Sequence, residues 1–338
     1  MPGGEAAMGR PGVLGRMVLL DVVSRLVAGR GLLGQEKEAL RGQVRLLGFR
    51  KTARGHILRS LGDGRQPEGG LTVLAPAMDG LFTLAVDAAD LVVGQEVLAA
   101  GAWEPHIAAF YARFLRPGMT VVDVGANIGF HSLHAACRVG PGGRVLAFEP
   151  DPRNAALIRT SLALREPRPP VDVFETALSD ADGQLVLSDL GNPGNSGARF
   201  THDSREHLAT LVHGPRPRFT AVSARRFDDH FDLPRLDLIK IDVEGFEPRA
   251  LAGMERSILR HRPVILTELA PSNLRDIGGA DPEEFLGSLH RKGYSCSILE
   301  EPGGDLSPAS PREAIGRVRG ERHHVDLVLA PSGAASAL

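Results

Sequence analysis

The residues best placed to do chemistry sit at the ends of short apolar segments. Val121 to Glu149 reads VVDVGANIGFHSLHAACRVGPGGRVLAFE, an apolar strand, a Gly-rich turn, a helix, and a second strand ending on a carboxylate. That order builds a pocket for an adenosine-bearing ligand. In the dinucleotide fingerprint a second glycine lets the backbone close on a pyrophosphate. Here Asn127 holds that place, between Gly125 and Gly129. The replacement favours a cofactor with a ribose and no diphosphate, a description that S-adenosylmethionine fits.

Each position then has an expected task. Gly125 and Gly129 permit a tight turn and a close approach of backbone to ligand. The helix from Ile128 offers free N–H groups and a positive dipole end to a methionyl carboxylate. Asp123 faces the sulfonium or the amino group. Glu149 accepts the ribose hydroxyls, a role that nicotinamide enzymes also give to a carboxylate. Asp180, in Ala177-Leu178-Ser179-Asp180, either meets an adenine amino group or belongs to an ordinary turn with Asp182-Gly183.

A second acidic group follows the stretch Asp237-Leu238-Ile239-Lys240-Ile241-Asp242-Val243-Glu244-Gly245-Phe246-Glu247, and PVILTEL adds Glu268. Carboxylates gathered at neighbouring strand ends are costly unless they titrate, bind a cation or face one. A sulfonium is such a cation, and one carboxylate could also take a proton from a substrate hydroxyl. Asp242 is the first choice for that base, with Glu244 or Glu268 behind it. Were a divalent cation bound, the same carboxylates would be its ligands instead. Glu247 reads as a cap of the following helix. His131 and His134 are spaced i, i+3 without a metalloprotease carboxylate. With His202, His207, His213 and His230 they read mostly as surface or packing residues, although one from the 185–226 region could serve as a base.

The elements that position these residues alternate. Strands are predicted at Thr120–Val124, Arg144–Glu149, Val171–Ala177, Leu236–Asp242 and Pro263–Glu268. Helices are predicted at Glu104–Leu115, Ile128–Val139, Pro152–Ala163, Glu247–Arg260 and Pro282–Lys292. Short apolar strands between helices imply a parallel sheet covered on both faces. Between residues 185 and 226 the rhythm breaks, which predicts an insertion with its own strands and a Gly/Asn loop, GNPGNSG. Gly293–Leu299 and Val325–Leu329 form an expected antiparallel pair without a crossover helix. Upstream, LTVLAPAMDGLFTLAVDAADLVVG turns at Asp79-Gly80 and reads as a β-hairpin. Helical patches are expected around Val18–Val27 and Lys37–Leu47. The expected domains are an extension over 1–95, a main domain over 96–331, and a disordered tail over 332–338.

Bulk properties narrow the function classes. The chain has 338 residues, 43% hydrophobic and 24% charged, with a formal net charge of -2. That balance gives no electrostatic footprint for nucleic acid or an acidic membrane. The apolar run Gly12–Leu20 is broken by Arg16 and too short to span a bilayer. Cys137 and Cys296 are too few for a disulfide framework, and no metal-ligand spacing is present, so both read as small core residues in a reducing cytoplasm.

The motifs together resemble the FkbM-type family of S-adenosylmethionine-dependent O-methyltransferases. The matching residues are VVDVGANIGFHSL, RVLAFEPDP, ALSD followed by Gly183, and DLIKIDVEGFEPRALAG, within roughly residues 100–270. Gly101-Ala102-Trp103-Glu104 resembles the family's Gly-x-aromatic-Glu segment, which implies that Glu104 lies near the cofactor. The resemblance implies a class I methyltransferase (Rossmann-like) α/β fold. Its sheet would be seven-stranded and mostly parallel with an antiparallel last strand, here preceded by the helical and hairpin extension. It implies methyl transfer to a hydroxyl of a sugar, glycan or natural product. It also implies that Asp123, Gly125, Asn127 and Gly129 hold the methionine part and Glu149 the ribose. Asp180 would lie beside the adenine, and Asp242 and Glu244 would face the methyl. Asn192 and Asn195 fall where the family has an Asn-x-Gly loop. Two rival readings are a nicotinamide-dependent oxidoreductase, which lacks a Tyr-x-x-x-Lys pair here, and an inactive scaffold, which the intact Asp123, Glu149 and Asp242 oppose.

Overall fold

The computed structural model describes residues 72–333 except 88, 166–168, 193, 213, 215–216 and 320–322. The helical patches expected before residue 71, His213 and the tail from 334 lie outside the described residues. The chain opens with a hairpin of β1 (Thr72–Ala77) and β2 (Phe82–Asp87). They are joined by a tight turn in which Met78, Asp79 and Gly80 all have positive φ. Asp-Gly supplies that backbone, as the sequence predicts. Helices α1 (Val93–Ala100) and α2 (Pro105–Phe114) follow. Residue 95, the boundary expected from composition, lies within α1.

The central unit alternates β3 (Thr120–Val124), α3 (Phe130–Val139), β4 (Arg144–Phe148), α4 (Pro152–Ala163) and β5 (Val171–Phe174). A second layer then intervenes: β6 (Ala177–Ser179), β7 (Gly183–Ser188), β8 (Phe200–His202), α5 (Arg205–Thr210) and β9 (Phe219–Arg226). Next come α6 (Phe227–His230), β10 (Leu238–Ile241), α7 (Glu247–Gly253), α8 (Glu255–His261) and β11 (Val264–Leu269). The chain closes with α9 (Pro271–Asp276), α10 (Pro282–Arg291), β12 (Tyr294–Glu300), β13 (Asp305–Ala309), α11 (Pro311–Arg317) and β14 (Val325–Pro331).

The main sheet has the order β13-β12-β14-β11-β10-β3-β4-β5. β10, β11, β3, β4 and β5 pair in parallel, and β14 runs antiparallel to both β11 and β12. The antiparallel last strand is thus present, but the sheet has eight strands, not the expected seven. The extra one, β13, folds back on β12 as an edge strand. Side chains alternate between faces with period two. Val121, Val145, Leu238 and Val264 enter one core with α3, α4 and the hairpin. Val122, Leu146, Ile239 and Ile265 enter the other with α6 to α8 and α10. Burial on both faces explains why these strands read as unbroken apolar runs. The hairpin is fastened to this unit: Ala85 N donates to Ser161 Oγ at 2.8 Å, and Phe82 meets Phe130 edge-on.

Two expected segments divide in the structure, and one helix was not expected. Val171–Ala177 divides between two sheets, because Thr176 Oγ1 donates to Ser223 O at 3.0 Å and draws the chain onto β9. The helix expected over Glu247–Arg260 breaks at Met254, where Asp228 caps a new start through Arg256 N and Ser257 N. A helix, α11, also lies between the terminal strands. Its Ser310-Pro311-Arg312-Glu313 start is a capping box with proline in the first turn, a signal legible in the sequence. Cys137 and Cys296 are both free and half-buried, and burial pushes the Cys296 thiol up to about 12. Among the described residues no helix is long and apolar enough to cross a membrane.

Candidate active site

The carboxyl ends of β3, β4, β10 and β11 open onto a cavity of about 300 Å³. Gly125, with φ of 77°, follows β3. A Cβ there would lie 1.9 Å from the Asp242 carbonyl oxygen, so glycine is required where the β3 and β10 loops touch. Asn127 also has positive φ, and its backbone N donates to Glu149 Oε2 at 2.8 Å. Asp151 N donates to Glu149 Oε1, also at 2.8 Å. When ionised, each oxygen keeps a lone pair for another donor, which is the chemistry a ribose diol needs. Burial pushes Glu149 up to about 8, against the two backbone donors that favour its charge.

Gly129 does not line the cavity. A Cβ there would meet Ile158 Cγ1 at 2.9 Å, so this glycine serves the packing of α3 on α4. Asp123 lies just beneath the cavity floor, 1% exposed. Its Oδ2 accepts from Ser132 Oγ at 2.5 Å, and its Oδ1 faces Lys240 Nζ at 3.8 Å. Glu104 reaches the cavity from the start of α2, where its φ is 44°. Burial raises its pKa, but the 2.6 Å contact with His131 Nε2 prevails and holds it at about 2. Beside it His106 Nε2 and Asp326 Oδ2 pair at 2.7 Å, both buried. Burial lowers the His106 pKa, and Asp326 more than restores it.

Asp242, Glu244 and Glu268 all line the same cavity, as their positions at strand ends predict. Asp242 Oδ2 faces Lys240 Nζ at 3.3 Å. Glu244 sits at a positive φ and accepts from Asn273 Nδ2 at 2.7 Å. Burial first, then the charge of Asp242, pushes Glu244 and Glu268 well above the usual carboxylate range. Glu247 is buried outside the cavity and accepts from Val243 N and Gly245 N at 3.0 and 3.2 Å. It holds the turn that aims Glu244.

Asp180 is not brought to the cavity. It is exposed, and Arg249 Nη2 reaches its Oδ1 at 2.8 Å. The residues that line the cavity after β5 are Thr176, Ala177 and Leu178. Among the described residues, His202, His207 and His230 do not line the cavity. His202 stacks on His207 at 4.3 Å, and His230 pairs with Asp182. His131 and His134 are buried under the site, and burial holds His134 neutral down to about 3. Of the two loop asparagines, Asn195 lines the cavity and Asn192 does not.

Some lining residues carried no sequence signal. Asn273 reaches Glu244 only because α9 follows β11 directly. His323 and His324 arrive because β14 returns beside β11, with His324 Nδ1 3.9 Å from Glu268 Oε2.

The Glu149 carboxylate after β4 and the acidic group after β10 and at the end of β11 meet in one cavity. Residues 123–296 match the Methyltransferase FkbM domain. The chain belongs to the FkbM methyltransferase family. The matched segment runs from β3 into β12 and contains every residue that lines the cavity except Val92, Val93, Trp103, Glu104, His323 and His324. The eight-stranded sheet is a class I methyltransferase fold carrying one added edge strand.

Individual relatives agree. Methyltransferase sdnD of Sordaria araneosa is 32% identical over 46% of this chain and 68% of its own length. 2-O-methyltransferase NoeI of Sinorhizobium fredii is 28% identical over 47% of this chain and 66% of its own. 31-O-demethyl-FK506 methyltransferase FkbM of Streptomyces tacrolimicus is 29% identical over 60% of this chain and 84% of its own. The chain thus spans about two thirds of sdnD and NoeI.

Proposed function

We propose that this FkbM-family protein moves the methyl group of S-adenosylmethionine to a hydroxyl oxygen of a small molecule or glycan. One observation carries the reading: Glu149 opens onto the same cavity as Asp242, Glu244 and Glu268. The residues present fit the cofactor. Glu149 keeps an acceptor site on each oxygen, Gly125 lets the β3 and β10 loops close together at the cavity, and acidic side chains suit a cation. The names of NoeI and FkbM both point to oxygen as the acceptor atom.

In this mechanism Glu149 accepts both ribose hydroxyls. Gly125 and Asn127, the lining residues that lead into α3, would hold the methionine part. When bound, the cofactor supplies an activated methyl group and a neutral thioether leaving group. The protein's share is therefore chiefly alignment, where well-oriented reactants gain about 7–11 kcal/mol. Asp242 would take the proton of the acceptor hydroxyl, a role that adds about 10²–10⁴-fold. Glu244, held by Asn273, and Glu268 bound the space where the acceptor oxygen arrives.

Calorimetric titration with S-adenosylmethionine, S-adenosylhomocysteine and NAD tests the reading. Uptake of the first two and not the third is expected. Uptake of NAD alone would assign an oxidoreductase, and uptake of none would leave a scaffold.

A further inference from the structure

Three stretches far apart in sequence meet beside the cavity: residues 90–94, 194–199 and 149–151. Residues 195–199 form a strap along the cavity, and all five line it. The strap is internally stiff, since Asn195 Oδ1 accepts from Gly197 N at 2.9 Å and Ala198 N at 3.2 Å. A Cβ on Gly197 would lie 3.4 Å from Val93 Cγ2 and 3.8 Å from Asn127 Nδ2, so the strap rests on the cofactor turn itself.

The two ends are tied unequally. At the far end Arg199 Nε reaches Asp151 Oδ2 at 3.4 Å. At the near end Asp90, 6% exposed, makes the attachment. Its Oδ2 accepts from Ser196 Oγ at 2.5 Å, and its Oδ1 from Ser196 N at 3.4 Å. Leu91 N adds a 2.7 Å bond to Gly194 O. The same carboxylate accepts from Val92 N at 3.1 Å and Gly94 N at 2.9 Å, which holds the entrance to α1. Asp90 therefore serves two partners, the turn it starts and a loop 106 residues away. Hydrogen bonds to a buried charged acceptor are each worth more than neutral ones.

We propose that Asp90 is a positioning residue for the methyl donor: by holding Ser196 it keeps the 195–199 strap closed over the bound cofactor. This rests on the cofactor reading above. A ligand beneath the strap leaves only when the Asp90–Ser196 contact opens, so the contact sets the dissociation rate more than the fold's stability.

The test is stopped-flow release of S-adenosylhomocysteine from the full chain, with hydrogen exchange at residues 195–199. Asp90→Ala should speed release about tenfold or more, and Ser196→Ala severalfold. Ser196→Thr, which keeps the hydroxyl, should restore the slow rate. Adding Ser196→Ala to Asp90→Ala should change little further, because both remove one contact. Strap amides should gain protection on binding in the wild type and much less in Ser196→Ala. That variant leaves the Val92 and Gly94 bonds intact, so a merely structural Asp90 would not show in it. Should Asp90→Ala fail to fold, the two Ser196 variants decide alone. Normal binding by the wild type with an unchanged release rate in Ser196→Ala overturns the latch and leaves the function standing. No uptake by the wild type overturns both.

Discussion

Lys240 and Asp123 face each other across the paired strands β10 and β3, with Nζ 3.8 Å from Oδ1 and both side chains at least nine-tenths buried. Asp242 Oδ2 lies 3.3 Å from the same ammonium. One cation thus sits under the floor of an acidic cavity. Burial opposes its charge, but Asp242 and Asp123 prevail and raise its pKa above the usual lysine range. Taking one member away from such a group leaves a buried charge uncompensated.

Lys240→Met should therefore destabilise the fold by about 3–5 kcal/mol. A raised lysine pKa means that the stabilisation is complete below about 10.5, the unfolded value, and fades only as pH passes the folded one. The whole loss should appear in urea titrations at pH 7. Wild-type stability there would show that Lys240 is dispensable to the floor.

The acidic wall sets a second expectation. Burial pushes Glu149 to about 8 and Glu247 to about 7, and it drives Glu244 and Glu268 well above the usual range. Such carboxyls keep protons that the unfolded chain has released, so stability falls as pH climbs towards the folded values. His134, held near 3 by burial, is neutral in the folded state and already mostly neutral in the unfolded chain above pH 7, so it offsets only a little of this slope. Ligand-free protein should lose about 1 kcal/mol or more between pH 7 and 8. Bound S-adenosylmethionine, a cation against that wall, should flatten the slope. A rise in stability over that interval would contradict the burial of these acids.

Glu149 and Asp180 should separate cleanly. Glu149→Gln weakens the acceptor of the ribose hydroxyls and should raise the S-adenosylhomocysteine Kd about 10- to 100-fold. Asp180→Ala removes a partly exposed pair with Arg249 outside the cavity. It should leave that Kd unchanged and cost at most about 1 kcal/mol of stability. Calorimetry reads both, and equal losses would mean that Asp180 reaches the adenine after all.

Asp242→Asn should slow single-turnover transfer of labelled methyl about 10²–10⁴-fold while the S-adenosylhomocysteine Kd stays within a few-fold. Wild-type turnover by this variant would move the base to Glu244 or Glu268. Glu244→Gln and Asn273→Ala would then be the next pair to compare.

Much of this arrangement was legible because it is local. Thr120–Val124 and Pro152–Ala163 have the same bounds in sequence and structure, since a short apolar run and a proline-led helix start act over a few residues. Glu149 and Asp242 were found by the rule that ligands meet strand ends. The division of Val171–Ala177 was not legible, because Ser223, which draws Thr176 away, is 47 residues distant. The break at Met254 was hidden for the same reason, since its cap, Asp228, belongs to another helix.

The amino-acid order by itself determined the strand–turn–helix pocket, the carboxylates around it and the family, because each rests on neighbouring residues. Only the tertiary structure decided that Asp180 turns to Arg249, that Lys240 neutralises the floor, and that Asp90 ties down a distant strap. Those are contacts between separate elements, and their partners are chosen by how the sheets stack and not by spacing along the chain.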